Sequence, residues 1–327
     1  MNYTHYVGID VSKETLDAVL LSEGKKVQQT QIKNTPKAIR VMLTDWDVRL
    51  NETLFCLEPT GHYSNIVVAT LVEVKAYVWI ANPADIAKSI GMQRGKNDQI
   101  DALRIAEYAM RFKDKARLLQ AGNLKNQPLK ELIAQRELLV ADKAKYQGQI
   151  NDMKGSANKA RRALLKEANQ PIIKQFERSI KQIEKQIEVL IFNDPHLKEQ
   201  YALLQTIPGV GKILAQTILV YTNGFENFNN PRALACHAGV VPFEYSSGKS
   251  IRSKRRISHR ANKRLKTLLH MAALTVIRKE SELRTYYDRK LEEGKNKMSV
   301  LNAIRNKLIY RIFAVINRRS AYLLTLS

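Results

Sequence analysis

Short apolar runs separated by turn residues fill the first third of the chain. Tyr6-Val7-Gly8-Ile9-Asp10 reads as a strand ending on an acid, and Leu16 to Leu21 as a second strand. Val27 to Ile32 returns as a third across a Glu23-Gly24-Lys25-Lys26 hairpin turn. Thr35-Pro36 predicts a capped helix through about Trp46, with Ile39, Leu43 and Trp46 on one face. Thr53 to Leu57 is a fourth strand that again ends on an acid, Glu58. Pro59-Thr60-Gly61 breaks the chain, and Tyr63 to Val74 is helical. Ala76 to Ile80 is a fifth strand. After Asn82-Pro83 comes the helix that carries Asp98 and Asp101 in its first turn, with Ala102, Leu103, Ile105, Ala106 and Ala109 at helical spacing behind them.

From Lys125 the texture becomes polar and helical. Ile173, Phe176, Ile180, Ile183, Ile187 and Leu190 alternate steps of three and four, a heptad seam. An earlier seam through Leu129, Leu132, Leu139, Tyr146, Ile150 and Met153 is interrupted by Arg136 and Lys143, and Asn169-Gln170-Pro171 is expected to separate the two arms. A helical hairpin and an intermolecular coiled coil both fit this spacing, and the cleaner second arm favours self-association. Ile207-Pro208-Gly209-Val210-Gly211 then joins two helical stretches in the manner of a helix-hairpin-helix turn, in which Gly209 and Gly211 would let the backbone approach a phosphate. The tail, Val300 to Leu324, is helical, with Arg305, Lys307, Arg311, Arg318 and Arg319 expected on its polar side. Three regions follow: 1–122 as an α/β domain, 123–198 as a coiled-coil helical region, and 199–327 as a mainly helical domain.

Charge changes the picture from fold to partner. The 327 residues hold 54 Lys+Arg against 31 Asp+Glu, a formal net charge of +23, which calls for a polyanion, most often nucleic acid. Lys249, Arg252, Lys254, Arg255, Arg256, Arg260 and Lys263 concentrate that charge as a surface that would bind nucleic acid through its backbone. Phe243 and Tyr245 suit stacking on bases, but anchoring a loop is the commoner use of such residues. No apolar run is long enough to span a bilayer, and no signal peptide or lipidation motif is present. Cys56 and Cys236 stand apart without metal or redox spacing, and the six histidines are scattered, so the chain reads as cytoplasmic and free of zinc.

Three consecutive strands followed by helix, strand, helix, strand, helix is the order of an RNase H-like mixed sheet. In that fold acids at the ends of the first and fourth strands and on a late helix converge. Taken singly, Asp98 and Asp101 only suit a helix N-terminus, and Asp10 and Glu58 are strand ends meeting water. Together, Asp10, Glu58, Asp98 and Asp101 are a set of hard oxygen donors for Mg²⁺, with Mn²⁺ as the alternative, able to work on a phosphodiester. Ser246-Ser247-Gly248 offers hydroxyls amid guanidinium groups, though a serine needs activation to become a nucleophile.

These motifs resemble those of the DEDD transposases of bacterial insertion sequences, a RuvC-like family that includes the Piv-type DNA invertases and the bridge-RNA-guided serine recombinases. Gly8-Ile9-Asp10-Val11-Ser12-Lys13-Glu14 looks like its first acidic motif, Glu58-Pro59-Thr60-Gly61-His62-Tyr63 like the second, and Lys96-Asn97-Asp98-Gln99-Ile100-Asp101-Ala102 like the third and fourth. Ile207 to Gly211 and Ala238-Gly239-Val240-Val241-Pro242 through Ser247-Gly248 resemble its C-terminal transposase domain. The resemblance implies Mg²⁺ on Asp10, Glu58, Asp98 and Asp101, and a covalent serine–DNA link at Ser247, with Ser246 an equally good hydroxyl one residue away. It also implies target and donor DNA, a non-coding bridge RNA, and a homo-oligomer, a dimer or a synaptic tetramer, acting at the bacterial nucleoid. A hydrolytic RuvC-like nuclease, with no serine–DNA link, is the alternative.

Overall fold

The computed structural model describes residues 3–90, 97–119, 126–152, 159–228, 230–241, 246–247, 251–252 and 261–323. The chain divides into two compact units, Met1–Lys125 and Asn126–Ser327.

The first unit is built on a five-stranded sheet. Its strands are β1 (His5–Val11), β2 (Thr15–Ser22), β3 (Lys25–Lys33), β4 (Thr53–Leu57) and β5 (Tyr77–Ile80), in spatial order β3-β2-β1-β4-β5. β1 to β3 form an antiparallel meander, whereas β4 and β5 run parallel to β1. The β2–β3 turn needs only Glu23 (φ 50°) and Gly24 (φ 79°), both left-handed, so the hairpin is tighter than the four residues expected. Strand alternation sorts the side chains of β1 between two faces. Val7, Ile9 and Val11 pack with Phe55 and Leu57 under α1 (Pro36–Asp45) and α2 (Ser64–Glu73). Tyr6, with Leu54 and Cys56, faces the other way, toward α3 (Pro83–Ile90) and α4 (Asp98–Arg111). Gly8 and Asp10 share that second face. The α/β fold expected from the order of elements is therefore present, as a mixed sheet between helical layers.

In the second unit α5 (Gln127–Asp152) and α6 (Lys159–Phe192) pack side by side. Arg136 pairs with Glu184 at 2.7 Å and Lys143 with Glu177 at 3.4 Å. Tyr146 meets Phe176. Partner numbers rise on one helix as they fall on the other, so the two are antiparallel. Ile173, Ile180 and Ile187 are buried, so the heptad seam is engaged within the chain. The two basic residues that interrupted the earlier seam sit there because glutamates answer them across the hairpin. Pro171 does not separate the arms. It lies inside α6, whose turn at that point is held by buried Asn169, donating from Nδ2 to Gln149 Oε1 at 3.0 Å, and by Ile173.

The base of the hairpin shares one core with α7 (Pro195–Gln205), α8 (Lys212–Thr222), α9 (Pro231–His237), α10 (Lys263–Val276), α11 (Glu282–Glu292) and α12 (Lys297–Arg318). Asp194 caps α7 by accepting from the His196 and Leu197 amides, with Pro195 at the first helical position. Arg305 departs from its expected place on the polar side of the tail: it is 5% exposed, and burial pushes its pKa down. Its Nε has no hydrogen-bond partner among the described residues. A buried cation without an anion costs more than the apolar side chain that would fill its space. Arg305→Met should therefore raise the urea midpoint, by about 1 kcal/mol or more in free energy; a lower midpoint would show that the guanidinium has a partner in solution.

Candidate active site

β1 delivers Asp10 to the carboxyl end of the sheet, and β4 delivers Glu58 beside it. The parallel register pairs Gly8 with Cys56 and Ile9 with Leu57, so Asp10 and Glu58 are the next residues along two adjacent strands. Adjacent strands are about 4.8 Å apart, and residues at matching register share a face. Glu58 accordingly follows Cys56 on the α4 side; burial, with the Glu58 charge adding to it, pushes the Cys56 thiol up, out of reach of thiolate chemistry.

Gly8 determines how close α4 comes. A Cβ at Gly8 would lie 2.1 Å from the Ala102 carbonyl oxygen and 2.3 Å from the Ala106 nitrogen, so α4 rests directly on the β1 backbone. Ala102, Ile105, Ala106 and Ala109 are buried in this contact. The start of the same helix brings Asp98, one turn before Ala102, and Asp101, the residue just before it, over Asp10. The helix begins there because the Asn97 side chain accepts from the Gln99 amide at 2.8 Å.

The electrostatics record the convergence. Burial raises the Asp10 pKa, and Asp98 and Asp101 raise it further, as does Asp17. Asp101 Oδ1 accepts from Arg104 Nη1 at 2.8 Å, which offsets part of the crowded charge. Among the described residues no three His, Cys, Asp or Glu side chains close on one point in metal-holding geometry. The donor set nonetheless suits a hard divalent cation: every atom offered is a carboxylate oxygen, and the raised Asp10 is what a cation would relieve.

Two contributors have no signal in their own sequence context. Asp17, the cross-strand partner of Asp10, is a buried carboxylate held by Gln31 Nε2 at 3.0 Å. Asn34, also buried, donates from Nδ2 to Ser12 O at 3.1 Å and to Tyr63 O at 3.0 Å, tying the loop after Asp10 to the segment after Glu58. The spacing Asp10-to-Asp17 across a short hairpin was the one available clue to Asp17; for Asn34 there was none.

Similarity to known proteins follows this geometry. A family model for DEDD transposases of the IS110 type matches residues 7–153, and one described as the transposase IS116/IS110/IS902 family matches 201–288. The chain belongs to this transposase family. The pilin gene-inverting protein of Moraxella lacunata is 29% identical over 97% of both chains. The transposase for insertion sequence element IS1111A of Coxiella burnetii is 23% identical over 97% of this chain and 90% of its own. Among solved structures, Thermus thermophilus RuvC matches 35% of this chain and 99% of its own at 16% identity, with a TM-score of 0.27. Members of this family are transposases and DNA invertases, enzymes that cut and exchange DNA strands.

The transposase's other expected site residues lie in the second unit. Ser246 and Ser247 form β6 (Ser246–Ser247), whose backbone pairs antiparallel with β7 (Ile251–Arg252), Ser247 opposite Ile251 and Ser246 opposite Arg252. Phe243, Tyr245, Lys249, Lys254, Arg255, Arg256 and Arg260 lie outside the described residues, and Arg252 is described by its backbone alone. Lys263 is exposed at the start of α10, which Asn262 caps. The Gly209 and Gly211 turn does join two helices, but the two glycines differ. Gly209 has φ 88°, and a Cβ there would lie 2.3 Å from Val276 Cγ2 and 3.0 Å from the Ala272 carbonyl, so it packs against α10. Gly211 is open, at the uncapped start of α8, where Lys212 pairs with Glu188 at 2.8 Å. No helix among the described residues is long and apolar enough to cross a membrane.

Proposed function

We propose that this transposase cuts DNA at Asp10, Glu58, Asp98 and Asp101 with bound Mg²⁺ and passes the cut end through a covalent link to Ser247. The observation that carries the reading is geometric: Asp10 and Glu58 end adjacent strands, and α4, resting on the Gly8 backbone, sets Asp98 and Asp101 beside Asp10. There burial first and those two charges second raise the Asp10 pKa above that of an ordinary carboxylate. Mg²⁺ bound there would neutralise the phosphodiester and polarise its attacking and leaving oxygens. Asp10, Glu58, Asp98 and Asp101 would hold that ion. Arg104 holds Asp101 until the site is loaded, and Asn34 keeps the two acid-bearing loops in register.

Ser247 Oγ then attacks phosphorus. A serine–phosphate bond forms as the bond to the leaving sugar oxygen breaks, and that oxygen keeps the proton the serine loses. A hydroxyl of the incoming strand reverses the step, freeing the serine without hydrolysis. The partners are target and donor DNA and an element-encoded bridge RNA, and the working assembly is a homo-oligomer in which one copy's carboxylates meet another copy's serine, in the cytoplasm at the nucleoid. Lys249 through Lys263 and the Gly211 turn would hold nucleic-acid backbone, which agrees with the net charge of +23.

The test is trapping on element-junction DNA with its flanking RNA and Mg²⁺, resolved on denaturing gels. Wild type and Ser246→Ala should give a protein–DNA adduct, and Ser247→Ala should give none. Cut DNA without an adduct, unaffected by Ser247→Ala, would leave a hydrolytic nuclease instead.

A further inference from the structure

The geometry points to a DNA-backbone track beside the carboxylates, in the cleft where Lys88, Lys115 and Arg117 surround β5. This inference rests on the reading of Asp10, Glu58, Asp98 and Asp101 as the cutting site.

The cleft, about 730 Å³, lies in the first unit between β5, α3 and the end of α4. Its floor is a rigid aromatic row: Trp79 to Tyr108 at 5.0 Å between centroids, and Tyr108 to Phe112 at 5.1 Å. Trp79 and Tyr108 are buried, so the floor has little face to offer a base. Its rim is cationic. The segment leaving α4 runs back along the outer edge of β5, with Leu118 bridging Trp79 and the Leu119 amide donating to Val78 O at 2.7 Å. This places Lys115 and Arg117 over the cleft, opposite Lys88 on α3. All three are exposed, and among the described residues none takes part in an ion pair, while Asp85 is the sole acid among the lining residues. Lys115 is held over the Phe112 ring at 4.8 Å, which keeps its ammonium at the mouth.

The cleft shares both walls with the carboxylates. On the sheet side, the Ala81 amide donates to Leu57 O at 2.9 Å, so Asn82 on the rim begins one strand away from Glu58. On the helix side, Tyr108 lies two turns along α4 from Asp101, about 10 Å at 1.5 Å per residue. At about 3.4 Å of rise per phosphate along one strand, that is roughly three nucleotides. A strand lying across the carboxylates and continuing toward β5 would set its phosphates between Lys88 and Arg117. The contacts are to backbone, so they carry no sequence preference.

The experiment uses the full chain with Lys88→Gln, Lys115→Gln and Arg117→Gln combined, titrated with a labelled DNA duplex of arbitrary sequence across a salt series. Each lost phosphate contact lowers the slope of log affinity against log salt by about 0.7–0.9, so the triple variant should lose about 2–3 from that slope. A second triple variant, Lys25→Gln, Lys33→Gln and Lys37→Gln, removes the same charge from the β3 side of the sheet and should change the slope far less. The inference is overturned if the two triple variants behave alike, if the cleft variant binds DNA as wild type does, or if it loses affinity for the flanking RNA alone. Asp10→Asn separates the two ideas: if it still cuts, the cutting-site reading falls; if it is dead while the cleft variant binds normally, only the track falls.

Discussion

Asp10→Asn is expected to abolish strand cutting while stabilising the protein in chelator. The two effects share one cause. Folding brings Asp10 out of water and under Asp98 and Asp101, so its folded pKa lies above its unfolded one. A raised acid binds its proton more tightly in the folded state. Stability contributed by that proton is therefore present at low pH and lost as pH rises from the ordinary carboxylate pKa of about 3.9 through the raised value. Above that window the ionised Asp10 is a constant penalty. Asparagine keeps the shape and removes the charge, so the variant should melt higher than wild type at neutral pH, with the advantage vanishing at low pH. Cutting should fall by about a thousandfold or more, because amide oxygen binds Mg²⁺ far more weakly than carboxylate. Mg²⁺ should also raise the wild-type melting temperature, increasingly as Asp10 ionises, and raise that of the variant little. Paired thermal melts over a pH series and a cleavage assay check this. A variant that cuts at near wild-type rate would remove Asp10 from the site.

How much of this was legible in the sequence depends on how local each cause is. Short apolar runs bounded by turn residues placed the five strands of the main sheet, because a run such as Tyr6-Val7-Gly8-Ile9, buried throughout, marks a strand covered on both faces. The N-terminal acids of α4 and the Thr35-Pro36 start of α1 are signals within one turn of a helix, and they too were readable. Pro171 misled because a proline's local cost was outweighed by packing of α6 on α5, which only the folded hairpin supplies. Arg305 misled for a related reason: one face of α12 is buried against several helices, and the polar stripe seen along the tail does not reveal which. Asn34 had no signal as a contributor, because its partner Tyr63 O is reached only through tertiary folding, and Asp17 had only its place across the hairpin from Asp10, because Gln31 Nε2 reaches it once β3 pairs with β2. In the candidate site, the acids themselves could be read, but not what holds them in position.

Gly8 is the clearest such hold, and Gly8→Ala should show it. The atoms an added Cβ would strike, the Ala102 oxygen and the Ala106 nitrogen and Cα, are all backbone. No side chain on α4 can rotate away, and trimming Ala106 to glycine would relieve nothing. The helix must lift, opening the buried layer of Ala102, Ile105 and Ala106 and carrying Asp98 and Asp101 away from Asp10. Overpacking of this kind costs about 1–3 kcal/mol, and Gly8→Val should cost more than Gly8→Ala. Gly148, within α5, meets nothing within 4 Å, so Gly148→Ala should instead gain about 0.5–1 kcal/mol from helix propensity. Urea midpoints for the three variants give the signs. The Asp10 pKa gives the geometry: with α4 lifted, the pH window over which wild-type stability falls should narrow in Gly8→Ala. A Gly8→Ala protein as stable as wild type, with its cutting intact, would mean that α4 does not rest on β1 and that the carboxylates are brought together by some other element.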